Sequence, residues 1–214
     1  MIRNVVFDLG GVLVGLDLAR CQAAFRAIGL EAVGQLIDPC HPNAMMGRLE
    51  HGEISWAETC EEMRRMTGNR TVTDDEIAGA LCAFLTEVPV EKLRAIERLR
   101  QRGIRTYVLS NNNPVGMAAI RRLCAVDGRT MEAYFDKIYV SCEMKLLKPS
   151  PEIFRAMLAD SGMRAEETLF IDDSERNVAA ACALGFETWC PKNGEDFTPL
   201  LDAIGPAVLP HEKK

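Results

Sequence analysis

Five short apolar runs constrain this chain most: Asn4–Phe7, Thr106–Leu109, Lys137–Val140, Thr168–Ile171 and Glu187–Cys190. They are nearly continuous rather than alternating, as expected of parallel strands covered on both faces. Between the later runs, apolar residues recur at helical spacing. Leu93, Ile96 and Leu99 mark one helix, and Met117, Ile120 and Leu123 another. Ser150-Pro151 offers a cap with proline at the first helical position, ahead of Phe154, Met157 and Leu158. Ser174 is placed to cap a helix that carries Val178, Ala181 and Cys182 and that Gly185 ends. This alternation predicts an α/β fold with a Rossmann-like, doubly wound parallel sheet.

The stretch 15–88 breaks the rhythm. Leu18, Cys21, Phe25 and Ile28 share a helix face, as do Ile77, Leu81 and Phe84. Ser55 with Glu58, and Thr73 with Glu76, fit the capping box, in which hydroxyl and acid satisfy orphan amides reciprocally. We read 15–88 as a helical insert after the first strand, and 1–14 with 89–214 as the core. A connection that long is usually functional. The tail 210–214 reads as frayed.

Composition narrows the partners. With 25 Lys and Arg against 31 Asp and Glu, the net charge is −6, which lacks the basic footprint of a nucleic-acid binder. No stretch has the length of a membrane span, and the N-terminus lacks a signal-peptide apolar region, so a soluble, cytoplasmic protein is expected. The eight cysteines contain no C-x-x-C pair and read as small buried apolar side chains.

In an open α/β sheet, ligands bind beyond the carboxyl ends of the strands. The residues there are Asp8 followed by Leu9-Gly10-Gly11, Ser110 followed by Asn111-Asn112-Asn113, Ser141-Cys142-Glu143 with Lys148-Pro149, and Asp172-Asp173. Carboxylates converging on one edge repel, and Mg²⁺ with oxygen ligands is the ready remedy. A carboxylate beside such a cation also serves as a nucleophile toward phosphate, with Ser110 and Lys148 on the phosphate oxygens. The glycines let backbone amides turn toward the anion. Each residue has a plainer rival. Asp8 and Ser110-Asn111 suit turns, Lys148 alone reads as a surface lysine, and Asp172-Asp173-Ser174 suits a helix start.

Together, Phe7-Asp8-Leu9-Gly10-Gly11-Val12-Leu13, Leu109-Ser110-Asn111, Lys148-Pro149 and Phe170-Ile171-Asp172-Asp173 resemble the four ordered motifs of the haloacid dehalogenase-like (HAD) hydrolase superfamily. The insert sits where that family carries its type 1 cap. The Asp-Leu-Gly opening and the run Glu50-His51-Gly52-Glu53-Ile54-Ser55 are similar to the subgroup with bacterial α-D-glucose-1-phosphate phosphatase. The resemblance implies a Mg²⁺-dependent phosphomonoesterase acting on a small phosphorylated metabolite, a sugar phosphate first, through an aspartyl-phosphate. It makes Asp8 the nucleophile, steadied by Lys148. Ser110, Asn111 and Lys148, with the backbone of Leu9 and Gly10, hold the phosphoryl group. Asp8, the Gly10 carbonyl and Asp173, with Asp172 directly or through water, hold the metal. His51 and Asn112 are the candidate substrate contacts. Against them stand a structural insert histidine, as for His41, and an asparagine cap for the helix at Pro114.

One position departs from the family pattern. Most phosphatases of the family carry a second aspartate where this chain has Gly10. Glycine keeps the carbonyl and loses the acid/base side chain, help typically worth about 10²–10⁴-fold. Asp17 is a weak substitute, because it also suits an N-cap. Gly10 leaves two rival readings: a 2-haloacid dehalogenase, which the paired acids Asp172-Asp173 disfavour, and a catalytically weak binding protein.

Overall fold

The computed structural model describes residues 1–37 and 44–205; Cys40, His41 and the tail 210–214 lie outside the described residues. One parallel sheet holds β1 (Asn4–Phe7), β2 (Arg105–Ser110), β3 (Lys137–Val140), β4 (Thr168–Ile171) and β5 (Glu187–Trp189) in the order β3-β2-β1-β4-β5. Two runs differ from expectation. β2 is longer and ends on Ser110 itself. β5, an edge strand paired only with β4, stops before the exposed Cys190.

Side-chain alternation fills both faces. Val5, Phe7, Val108, Val140 and Ile171 pack on one side with Leu93, Ile96 and Leu99 of α6 (Val90–Gln101) and with Met117 and Ile120 of α7 (Pro114–Leu123). Val6, Tyr107, Leu109 and Phe170 pack on the other with Phe154 and Met157 of α9 (Pro151–Ser161) and Ala181 of α10 (Glu175–Ala183). A short α8 (Ser141–Met144) follows β3, and α11 (Thr198–Ala203) lies against α6. Two caps differ from expectation. Neither Ser150 nor Ser174 bonds its helix start through its hydroxyl. Ser150 turns to the Glu152 carboxylate, and Asp172 takes the Ser174 amide.

The insert comprises α1 (Leu18–Ala27), α2 (Glu31–Gly34), α3 (Ala44–His51), α4 (Trp56–Thr67) and α5 (Asp74–Cys82). Both capping boxes form. Ser55 Oγ accepts from the Glu58 amide at 3.2 Å while Glu58 accepts from the Ser55 amide at 2.7 Å, and Thr73 and Glu76 repeat the pattern. Cys21, Phe25, Leu49, Met63 and Ile77 close a separate apolar cluster, so the insert carries its own core. Its two connections pair with each other: the Thr86 amide donates to Gly15 O at 2.9 Å and the Asp17 amide to Phe84 O at 2.8 Å. Leu85 and Val88 already pack against the sheet.

No helix among the described residues is long and apolar enough to cross a membrane. Cys21, Cys60 and Cys124 are buried as expected, whereas Cys182 is exposed because Ala181 takes the inward face of α10.

Candidate functional site

The chain winds outward from β1 through β2 to β3, then crosses back to β4, which leaves β1 between β2 and β4. That reversal opens a crevice at the carboxyl ends of the strands. Phe7 is in register with Val108 and Ile171, so Asp8, Ser110 and Asp172 emerge together.

The loop after Asp8 turns at once, because Leu9 O accepts the amides of Leu13 at 2.8 Å and Val14 at 2.9 Å. Gly11 has φ +74°, and a Cβ there would overlap the Asp173 carboxylate. Only glycine lets this loop pass so close to the end of β4. Gly11→Ala is expected to lose about 1–3 kcal/mol of stability in urea unfolding. An unchanged midpoint would show that the loop relaxes freely.

Lys148 is the centre of the site. Asn111 grips its backbone from both ends, accepting from the Lys148 amide at 2.8 Å and donating to its carbonyl at 2.9 Å. The buried ammonium donates to Asp172 at 2.6 Å and to Leu109 O at 2.8 Å, and lies 2.9 Å from Asp8 as an ion pair. The Asn111 side chain, expected on phosphate, is therefore committed to positioning the lysine.

Burial raises the Asp8 carboxyl above the usual range, against the pull of Lys148. Asp173 is pushed up to about 7, first by burial and then by the charges of Asp8 and Asp172. Burial pulls Lys148 down, but Asp172 and Asp8 together hold it above the ordinary lysine value. The cluster thus lacks positive charge.

The residues fit a hard cation. Carboxylate oxygens of Asp8, Asp172 and Asp173 lie within 4.8 Å of one another. Asp8 Oδ1 is buried without an aligned hydrogen bond, despite its closeness to Lys148. Asp172 is different. Lys148, the Ser174 amide at 2.9 Å and Asn177 Nδ2 at 3.0 and 3.1 Å occupy its oxygens. Asp8 and Asp173 are the better-placed ligands, and Asp172 anchors the lysine. Oxygen-only sets with few carboxylates suit Mg²⁺.

A cavity of about 430 Å³ opens above these groups. Asp8, Gly10, Ser110, Asn111, Asn112, Lys148 and Asp173 line it on the core side. Leu9 is buried beside Asp8, and its amide helps hold that carboxyl. Asn113, not Asn112, caps α7, accepting the Val115 and Gly116 amides at 3.1 and 3.0 Å. From the insert come Leu16, Ile37, Met46, Glu50, Leu81, Cys82, Phe84 and Leu85. His51 instead pairs with Glu53 at 2.9 Å and is not among the lining residues. Asp17 accepts the Arg20 amide at 3.0 Å as the cap of α1. Sequence reasoning missed Glu50 and Asn177. Glu50 was legible: it lies four residues after Met46 on the same face of α3, and both line the cavity.

Four likenesses to known proteins bear on this geometry. A D-ribitol-5-phosphate phosphatase from Bacteroides thetaiotaomicron is 37% identical over 95% of this chain and 98% of its own. The crystal structure of a wild-type HAD family enzyme from Bacteroides thetaiotaomicron, in complex with magnesium and inorganic phosphate, superposes with a TM-score of 0.87. It is 38% identical and covers 94% of this chain and 99% of the other. The structure of a predicted HAD-like family hydrolase from Porphyromonas gingivalis gives a TM-score of 0.84 at 42% identity, covering 94% of this chain and 97% of the other. The haloacid dehalogenase-like hydrolase family model matches residues 2–185. With that match across most of its length and full-length relatives above 30% identity, the chain belongs to the haloacid dehalogenase-like hydrolases.

Proposed function

We propose that this chain is a Mg²⁺-dependent phosphomonoesterase for small phosphorylated metabolites, sugar and polyol phosphates first. The observation that carries the reading is the buried Lys148 between Asp8 and Asp172, with Asp173 completing a carboxylate cluster at the cavity floor. The full-length likeness to a D-ribitol-5-phosphate phosphatase supports it. So does the cavity, whose volume suits a small ligand.

Asp8 attacks phosphorus and forms an aspartyl-phosphate, and water then hydrolyses it. Lys148 aims Asp8 and offsets its charge. Ser110, 2% exposed at the end of β2, donates to a phosphoryl oxygen. Gly10 lines the same cavity and offers its backbone to the phosphoryl group, while the Leu9 amide supports the Asp8 carboxyl. Asp8, Asp173 and the Gly10 carbonyl would hold Mg²⁺, with Asp172 behind them. Bound there, the cation would supply charge neutralisation for the phosphoryl oxygens. Residues 15–88 form a cap that excludes water and selects the leaving group. Asn112 is a substrate contact from the core side.

A 2-haloacid reading is weaker on the same geometry. A substrate carboxylate entering this cavity meets the carboxylates of Asp8 and Asp173 at its floor, where the Lys148 ammonium is already shared between Asp8 and Asp172 and Arg176 is the other cation of the lining.

Phosphate release from a panel of sugar, polyol and acyl phosphates tests the reading. Turnover is expected with Mg²⁺, and EDTA should lower it roughly 10²–10³-fold. No release from any ester in Mg²⁺, or undiminished release in EDTA, would overturn it.

A further inference from the structure

Gly10 leaves the reaction without the side chain that protonates the departing oxygen. The place is not sterically closed: a Cβ on Gly10 would sit 3.4 Å from Leu16, an ordinary contact. The apolar Leu16 borders it, so no acid arrives from this loop. Asp17 is spent as a helix cap. Among the described residues, three carboxyl groups line the cavity: Asp8, Asp173 and Glu50. The first two belong to the nucleophile and cation cluster, which leaves Glu50.

Glu50 is firmly placed. Its carbonyl accepts from Ser141 Oγ at 2.6 Å, and the same Oγ accepts the Asn112 amide at 3.0 Å. Two residues on, Lys145 Nζ donates to Gly52 O. Gly52 has φ +72°, and the Cys142 carbonyl occupies the space a side chain would need. The end of α3 is therefore pinned to the core segments that carry Ser110 and Lys148. Glu50 thus lines, from the insert side, the same cavity that Asp8 lines from the core, which is where a leaving group must lie.

We propose that Glu50, carried by the insert, is the general acid/base that replaces the side chain absent at Gly10. This rests on the phosphatase reading. As the bond from Asp8 to phosphorus forms and the phosphorus–oxygen bond breaks, the Glu50 carboxyl gives its proton to the departing alkoxide. In the second half, the Glu50 carboxylate takes a proton from the water that attacks the aspartyl-phosphate. That step restores Asp8 and protonated Glu50 and frees phosphate. The starting protonation state is available: burial, then the charge of Asp8, pushes Glu50 up to about 8 against the opposing pull of Lys148. Cys82, Asp173 and Arg176 are the other titratable or charged groups lining the cavity.

The test is leaving-group dependence in Glu50→Gln, with Mg²⁺ present throughout. An alkyl phosphate needs a proton on its leaving oxygen; p-nitrophenyl phosphate does not. For the fastest alkyl phosphate of the panel, kcat/KM is expected to fall about 10²–10⁴-fold. For p-nitrophenyl phosphate the fall should stay within about tenfold, which also shows that the variant is folded. Parallel losses on both esters, or no loss on the alkyl ester, would overturn Glu50 and leave the phosphatase reading standing. A wild-type protein that releases phosphate from neither ester would remove both.

Discussion

Asp8→Asn is expected to reduce phosphate release by about 10⁴-fold or more while the protein stays folded, because removing a nucleophile abolishes the covalent route. The amide is close in size and shape to the carboxylate but cannot attack phosphorus. Positioning by Ser110 and Lys148 survives, so ligand binding should outlast turnover. Stability should change little, for reasons that oppose each other. Asp8 is largely buried, its side chain 13% exposed, and close to Asp172, and its carboxyl is raised above the ordinary value. A carboxyl raised in the folded state favours folding at acid pH and costs stability as pH rises through the folded value. Asparagine removes that cost at neutral pH, but it also gives up the 2.9 Å pair with Lys148, which keeps Asp172. Thermal melts at pH 7 are therefore expected within about 1 kcal/mol of wild type. Turnover within tenfold of wild type would rule out Asp8 as the nucleophile.

Most of what positions the site was legible in the sequence. β1, β3 and β4 have the bounds their apolar runs suggested, because buried parallel strands need residues that fill both faces. Asp8 and Asp172 follow directly on the ends of β1 and β4, and Ser110 ends β2, which is why the strand pattern alone brings them together. What it missed depends on where side chains point. Asn111 looks like a phosphate ligand by type and place, yet both ends of its amide are spent on Lys148. Asp172 and Asp173 are indistinguishable as letters. In space one is saturated by Lys148, Ser174 and Asn177, and the other faces the cavity. In the run Glu50-His51, histidine drew attention for its chemistry. Helical spacing from Met46 puts Glu50, not His51, into the cavity.

Lys148→Met carries the largest expected effect on stability. The lysine is 4% exposed, and its ammonium holds two carboxylates and one carbonyl. Methionine fills much of the same volume but leaves Asp8 and Asp172 facing each other with no cation between them. Breaking a buried pair from one side typically costs about 3–5 kcal/mol, because the remaining charge has neither water nor partner. Activity should fall with it, since Asp8 loses the group that aims it and the phosphoryl oxygens lose a point charge. The pH dependence identifies the cause. Without Lys148 the Asp8 carboxyl rises further, so the folded state favours its protonated form more strongly. The deficit should then be smallest near pH 5 and grow toward pH 8. Adding Asp172→Asn to Lys148→Met removes one of the stranded charges and should recover part of the loss, a coupling that independent sites would not show. Urea unfolding of the two variants at both pH values checks this. A deficit equal at pH 5 and pH 8, with no recovery in the double variant, would mean that Lys148 stabilises the fold through its packing and not through its charge.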